Sequence, residues 1–114
     1  MAITGVHALI YSSEFEALRA VLRDTLGWRH VEDEPGWLIF AMPPAEVAVH
    51  PADGPGYQLS LMCDDLESTV DELAAKGVRT TGPPEEESWG RLVRLALPGD
   101  VEMMLYQPKH TTAV

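Results

Sequence analysis

The chain has 114 residues, 46% of them hydrophobic and 23% charged, and a formal net charge of −10 from 18 acidic against 8 basic side chains. That length and mixture fit a single globular domain over 1–114, while the negative field repels phosphate backbones and anionic lipid and so excludes nucleic acid and membrane surfaces as partners. No apolar run nears the roughly 20 residues that cross a bilayer, so a cytoplasmic location is expected, and the single cysteine, Cys63, reads as a small buried hydrophobe in a reducing compartment.

In chain order, Val6-His7-Ala8-Leu9-Ile10-Tyr11 alternates as a half-buried strand should. Ser13 with Glu16 then forms a capping box, and Phe15, Leu18, Leu22 and Leu26 make one apolar helix stripe that stops at Gly27. Gly36-Trp37 opens a strand that runs into the turn Ala41-Met42-Pro43-Pro44, and Glu46-Val47-Ala48-Val49-His50-Pro51 returns from it. After a short Pro and Gly linker, 51–56, the same order recurs. Tyr57-Gln58-Leu59-Ser60-Leu61-Met62 is the strand, Asp64 with Glu67 the cap, Leu66, Val70, Leu73 and Ala74 the stripe, and Gly77 the stop. Trp89-Gly90 answers Gly36-Trp37, Ala96-Leu97-Pro98-Gly99 answers the proline turn, and Glu102 through Pro108 answers the returning strand. The fold class is therefore α+β, with two βαβββ modules, about 4–51 and about 56–108, forming a curved mixed sheet around a cup. Residues 109–114 read as a polar, frayed tail.

Strand alternation sorts the faces. Val6, Ala8, Ile10, Val47, Val49, Met103 and Leu105 form the helix-facing set, which leaves His7, Glu46, Gln58 and Glu102 on the opposite surface. Buried carboxylates need a partner. An imidazole, two carboxylates and an amide oxygen match the ligand set of a divalent ion such as Zn, Ni, Co, Mn or Fe, with open positions for water or substrate. Around them the alternation places Tyr11, Trp37, His50, Met62, Leu92, Arg94, Met104 and Tyr106, a largely apolar small-molecule pocket with one cation. Arg94 needs an anionic partner, which is either Glu46 or Glu102 in a metal-free salt-bridge network or a substrate carboxylate.

Val-His-Ala-Leu-Ile-Tyr at 6–11, Leu-Gly-Trp at 26–28, Cys-Asp-Asp-Leu at 63–66, Leu-Ala-Ala-Lys-Gly-Val at 73–78, Leu-Pro-Gly-Asp-Val-Glu at 97–102 and Leu-Tyr-Gln-Pro at 105–108 together resemble one family. It is the glyoxalase, bleomycin-resistance and extradiol-dioxygenase superfamily, the vicinal oxygen chelate fold. The resemblance implies metal ligands on the first and last strands of each module, here His7, Glu46, Gln58 and Glu102, with Glu102 or Glu46 moving a proton as the catalytic group. Gln58 stands where many metal-binding members carry histidine, and the level of the last ligand is open between Glu102 and Met104.

Two functions follow from the resemblance. One is a divalent-metal-dependent lyase or isomerase of glyoxalase type, the reading the sequence leans to; the other is a metal-free, drug-sequestering protein of bleomycin-resistance type. An extradiol dioxygenase, which needs two histidines and a carboxylate on iron, fits less well because of Gln58. In either case the partner is a small molecule, and a homodimer is expected because the modules leave open strand edges.

Overall fold

A computed structural model of the protein describes residues 7–114. Val6 and the opening of the first module lie outside the described residues. The second module carries one strand more than the predicted βαβββ order, and its opening strand covers 60–62 of the expected 57–62. Strand β3 (Ser60–Met62) leads into helix α2 (Leu66–Ala75), then β4 (Arg79–Thr80), β5 (Glu85–Glu87), β6 (Gly90–Leu97) and β7 (Val101–Pro108). Its sheet has the order β3-β7-β6-β4, with β5 also paired to β6, and it is mixed because β3 runs parallel to β7 while the other pairs are antiparallel. The longest ladder joins β6 to β7 around the loop Pro98-Gly99-Asp100, where Gly99 (φ +79°) and Asp100 (φ +59°) take left-handed backbone.

Helix α2 begins one residue later than the capping box predicts. Asp65, not Asp64, is the N-cap, its carboxylate accepting from the Ser68 N–H at 3.1 Å. The next amide, Leu66 N–H, donates at 2.9 Å to the side-chain oxygen of Gln107 on β7, a long-range cap that fixes the helix start. Leu66 and Leu73 are buried as the stripe predicts, Val70 is partly buried, and Ala74 faces solvent. Gly77 ends the helix with φ +90°, the left-handed stop expected of it.

The first module is less complete. Helix α1 (Phe15–Ala20) widens into a π-helical stretch, Val21–Thr25, and stops at Gly27 with φ +69°. Its N-cap is Glu14, which makes no side-chain cap bond; Ser12 Oγ accepts from the Glu14 N–H instead of Ser13 closing a box. Two short strands follow, β1 (His30–Glu32) and β2 (Leu38–Phe40), paired with each other in a separate two-stranded sheet. The predicted outer strands of this module do not form within one chain. Residues 7–11 and 46–51 carry no strand, and Val47 and Val49, expected against a helix, are 92% and 94% exposed. A strand needs a partner ladder for its amides, and neither segment has one here.

The core shows how the two halves meet. Leu18 of α1 joins Leu66, Leu73 and Val78, and these pack on Val93, Leu95, Leu97, Met103 and Leu105 from one face of β6 and β7. Met103 and Leu105 thus lie on the helix side, as predicted. Burying such side chains stabilises by about 1.5 to 3 kcal/mol each, which makes this face the main source of stability. A hydrogen-bonded seam ties α1 to the second module: Ser12 Oγ donates to Pro98 O at 2.8 Å, and the Gly99 N–H donates to the Glu14 carboxylate at 2.7 Å.

Candidate functional site

With Val93, Leu95, Met103 and Leu105 committed to the helices, alternation turns Leu92, Arg94, Met104 and Tyr106 to the other face of the sheet. The registers confirm this: Leu92 lies opposite Tyr106, Arg94 opposite Met104, and across the parallel pair Ser60 opposite Met104 and Met62 opposite Tyr106. Met62, Arg94, Met104 and Tyr106 are therefore brought together on one floor. Leu92 is buried at 2% exposure even though it belongs to this face and not to the helix-side core. Tyr106 closes over Gly90, where an added Cβ would meet its Cδ2 at 2.9 Å, and its ring meets Trp89 edge-on with centroids 5.4 Å apart.

The remaining pocket residues lie elsewhere in the chain. Tyr11 is 83% exposed, His50 is exposed, and Trp37 is 62% exposed on the first module. Trp37 and Phe15 flank the Arg19 guanidinium, at 5.3 and 5.1 Å from the ring centroids, in a cation–π pair of contacts.

Of the four candidate metal ligands, His7 and Gln58 are exposed, Gln58 donating from Nε2 to Ser60 Oγ at 3.3 Å. Glu102 sits on β7 opposite Ala96 with its side chain exposed. Glu46 is half-buried and already engaged, its Oε2 accepting from the Ala113 N–H at 2.6 Å. Among the described residues no group of three or more His, Cys, Asp or Glu side chains is placed to hold a metal within one chain. The β3–β7 ladder begins at Ser60, opposite Met104, so Gln58 lies ahead of the paired strand and Glu102 has no partner on that side among the described residues.

Arg94 has a partner that the sequence reading missed. Its guanidinium donates to the Glu85 carboxylate at 2.5 Å, so neither Glu46 nor Glu102 is its counter-charge. Glu85, Glu86 and Glu87 form β5 and fold back on β6, placing Glu86 opposite Arg91 and Glu85 opposite Leu92. An acidic triplet joined by the short Ser88-Trp89 connection to a segment carrying Arg91 and Arg94 is the sequence signal for this pairing. Arg91, on the helix side, pairs with both Glu86 and Glu67 of α2, and Lys109 adds a second contact to Glu86. The Lys109 ammonium and then the Arg91 guanidinium hold the Glu86 carboxyl below its ordinary range.

The tail is a second omission. Lys109 donates its N–H to Trp89 O at 2.9 Å, and the His110 ring lies against Tyr106 at a tilt of 36°, with centroids 5.9 Å apart. His110 Nδ1 lies 2.9 Å from Thr111 O and Nε2 lies 3.1 Å from the Tyr106 hydroxyl. A carbonyl only accepts, so in the neutral ring Nδ1 carries the proton and the tyrosine hydroxyl donates to Nε2. Burial first, and the Glu46 carboxylate second, push the Tyr106 phenol above its usual range, which keeps it protonated for that bond. Cys63 is partly buried near this edge, its Sγ directed at Tyr106 O at 3.6 Å, and desolvation raises its thiol above the ordinary value. This agrees with the reading of Cys63 as an inert small hydrophobe.

No protein-family model matches the sequence, and no curated protein matches it. Solved structures do. TnmS3, an antibiotic binding protein from Streptomyces sp. CB03234, superposes with a TM-score of 0.68 at 29% identity over 96% of this chain and 99% of that one. A member of the glyoxalase/bleomycin resistance protein/dioxygenase superfamily from Sphaerobacter thermophilus gives 0.63 at 25% identity over 92% and 98%. A lactoylglutathione lyase from Agrobacterium tumefaciens gives 0.60 at 18% identity over 93% and 95%, a likeness of fold alone. The fold is thus that of a glyoxalase-like α+β protein with a curved, unclosed mixed sheet. The chain is thus similar in fold to solved members of the glyoxalase/bleomycin resistance protein/dioxygenase superfamily, the family its sequence motifs resemble.

Proposed function

We propose that this chain is a cytoplasmic, homodimeric binding protein that sequesters a planar or basic aromatic small molecule on the cup face of β6 and β7, without chemistry. The observation that carries this reading is the character of the floor. Met62, Met104 and Tyr106 present apolar and aromatic surface over the buried Leu92, with Trp89 against the Tyr106 ring, and the cation Arg94 is neutralised by Glu85. Such a floor suits stacking and dispersion, and the net charge of −10 draws cations to it. The likeness to an antibiotic binding protein over nearly the whole of both chains supports the same reading. Titration calorimetry with proflavine, a planar cationic dye, tests it. Micromolar or tighter binding, weakened about tenfold by Tyr106→Ala in a chain with unchanged circular dichroism, is the expected result. No heat with proflavine or with basic aromatic antibiotics would refute it.

A second reading, a metal-dependent lyase or isomerase, draws on the likeness of fold to a lactoylglutathione lyase. In that reading Glu102 and Glu46 move protons and His7, Glu46, Gln58 and Glu102 hold the ion, with a second copy supplying the donors that one chain keeps apart. The superfamily's frequent use of divalent metals makes it worth the direct check, elemental analysis of protein purified without chelators. Stoichiometric metal that Glu102→Gln abolishes would favour the enzyme over the binding protein.

A further inference from the structure

The segment after β7 does more than end the chain. Lys109 is pinned at both ends of its residue, its N–H on Trp89 O and its ammonium on Glu86 and on the Glu87 carbonyl. His110 then turns onto Tyr106, with its Nε2 4.0 Å from the Glu46 carboxylate, and the Ala113 N–H reaches across to that same carboxylate. Thr112 and Val114, with Met62 and Pro108, line an open pocket of about 170 Å³. Anchors from β5, the Trp89 loop and the 46–51 segment thus hold residues 109–114 beside Tyr106, reached by His110, and Met62, reached by Thr112 and Val114.

We propose that residues 109–114 form an internal strap that competes with the ligand, with the His110 ring, tilted against Tyr106, occupying its hydroxyl. The proposal rests on the binding reading of the cup, and deepens it by saying what occupies the cup beforehand. Imidazole is a planar heteroaromatic ring, and on Tyr106 it makes the contact and the hydroxyl hydrogen bond that a planar basic ligand would make in its place. The ligand must therefore displace the strap, and its apparent affinity is reduced by the fraction of chains in which the strap is docked.

The test compares the full chain with one ending at Lys109, and with His110→Ala, by two readouts. The first needs no ligand: acetylation of tyrosine hydroxyls by N-acetylimidazole, located by mass spectrometry. Tyr11 and Tyr57, 83% and 104% exposed, serve as internal standards. Tyr106 is expected to react several-fold more slowly than they do in the full chain and to approach their rate in the shortened one. The second readout is proflavine affinity, expected to rise about tenfold on shortening, the worth of roughly one net hydrogen bond and one tilted aromatic contact. Equal Tyr106 reactivity in both chains would overturn the strap, and so would weaker proflavine binding by the shortened chain, which would make the segment a fixed wall of the site. Slow Tyr106 acetylation relieved by shortening, with no dye bound by either chain, would support the docked strap and sink the binding reading.

Discussion

At Gly99 a Cβ would stand 2.0 Å from Ser12 Oγ and 3.1 Å from the Glu14 nitrogen, on backbone already at φ +79°. The glycine is required twice, by the left-handed turn and by the approach of α1's leading edge to the β6–β7 loop. Gly99→Ala is expected to cost about 2 to 3 kcal/mol, read as a lower urea midpoint at unchanged slope. Adding Ser12→Ala should return part of that loss, since it removes the nearest atom but not the backbone strain. An unchanged midpoint in the single variant would mean that the seam between α1 and the loop is not formed in solution. The stops at Gly27 and Gly77 were legible because glycine at a left-handed C-terminus is a local requirement. The caps were not legible to the residue. Asp64 and Asp65 are chemically equal, and the choice between them is made by Gln107, a side chain from the far end of the chain that accepts from the Leu66 N–H.

Among the elements, β5 owes its place to charge. Glu86 faces Arg91 across the hairpin, Arg91 also reaches Glu67 on α2, and Lys109 closes the group from the strap. The sign of its pH dependence follows from Glu86. Its carboxyl lies below the ordinary value of 4.5, held there by Lys109 first and Arg91 second, so its contribution is present above that value and is lost as acid carries the pH through the folded-state value. Thermal unfolding of the chain and of Glu86→Gln should differ at neutral pH and converge in acid. The difference will be small because the pair is exposed to solvent. A gap that widens in acid would reverse the assignment. The acidic triplet reads in sequence as a solvated surface because its counter-charges are spread over β6, α2 and the strap, and only the fold collects them. The same logic hid His110: a polar tail gives no periodic signal, whereas the partners that hold it, Tyr106 and Glu46, are themselves far apart in sequence.

On the scale of the whole chain, the repeat was visible in the order of strand, cap, stripe and proline turn, and the second module keeps strand, helix and the closing β6–β7 pair in that order, with the short β4 and β5 between helix and pair. The first module departs from it where strands need neighbours. Val47, Val49, Leu9 and Tyr11 alternate as sheet residues should, yet they are 92%, 94%, 68% and 83% exposed. The accessible surface tells the same story: it is 8639 Å², against roughly 6,200 Å² for a compact monomer of 12.5 kDa. The radius of gyration is 15.1 Å, where about 13 Å is expected at this length. An excess of about 2,400 Å² is more than the roughly 800 Å² that each partner of a stable complex buries, so a second copy has ample surface to cover. A homodimer is the expected state, with the 7–11 and 46–51 segments paired to sheet edges of the partner. Sedimentation equilibrium at micromolar concentration should give twice the chain mass. The double variant Val47→Asp, Val49→Asp should give the single mass while keeping its helical circular dichroism, because neither valine belongs to the core that Leu18, Leu66 and Leu95 build. Replacing two apolar strand positions by carboxylates removes the burial that drives pairing and sets like charges at the edge. A wild-type chain that sediments as a monomer would show that these segments find their partners within one chain, and the dimer would have to be abandoned.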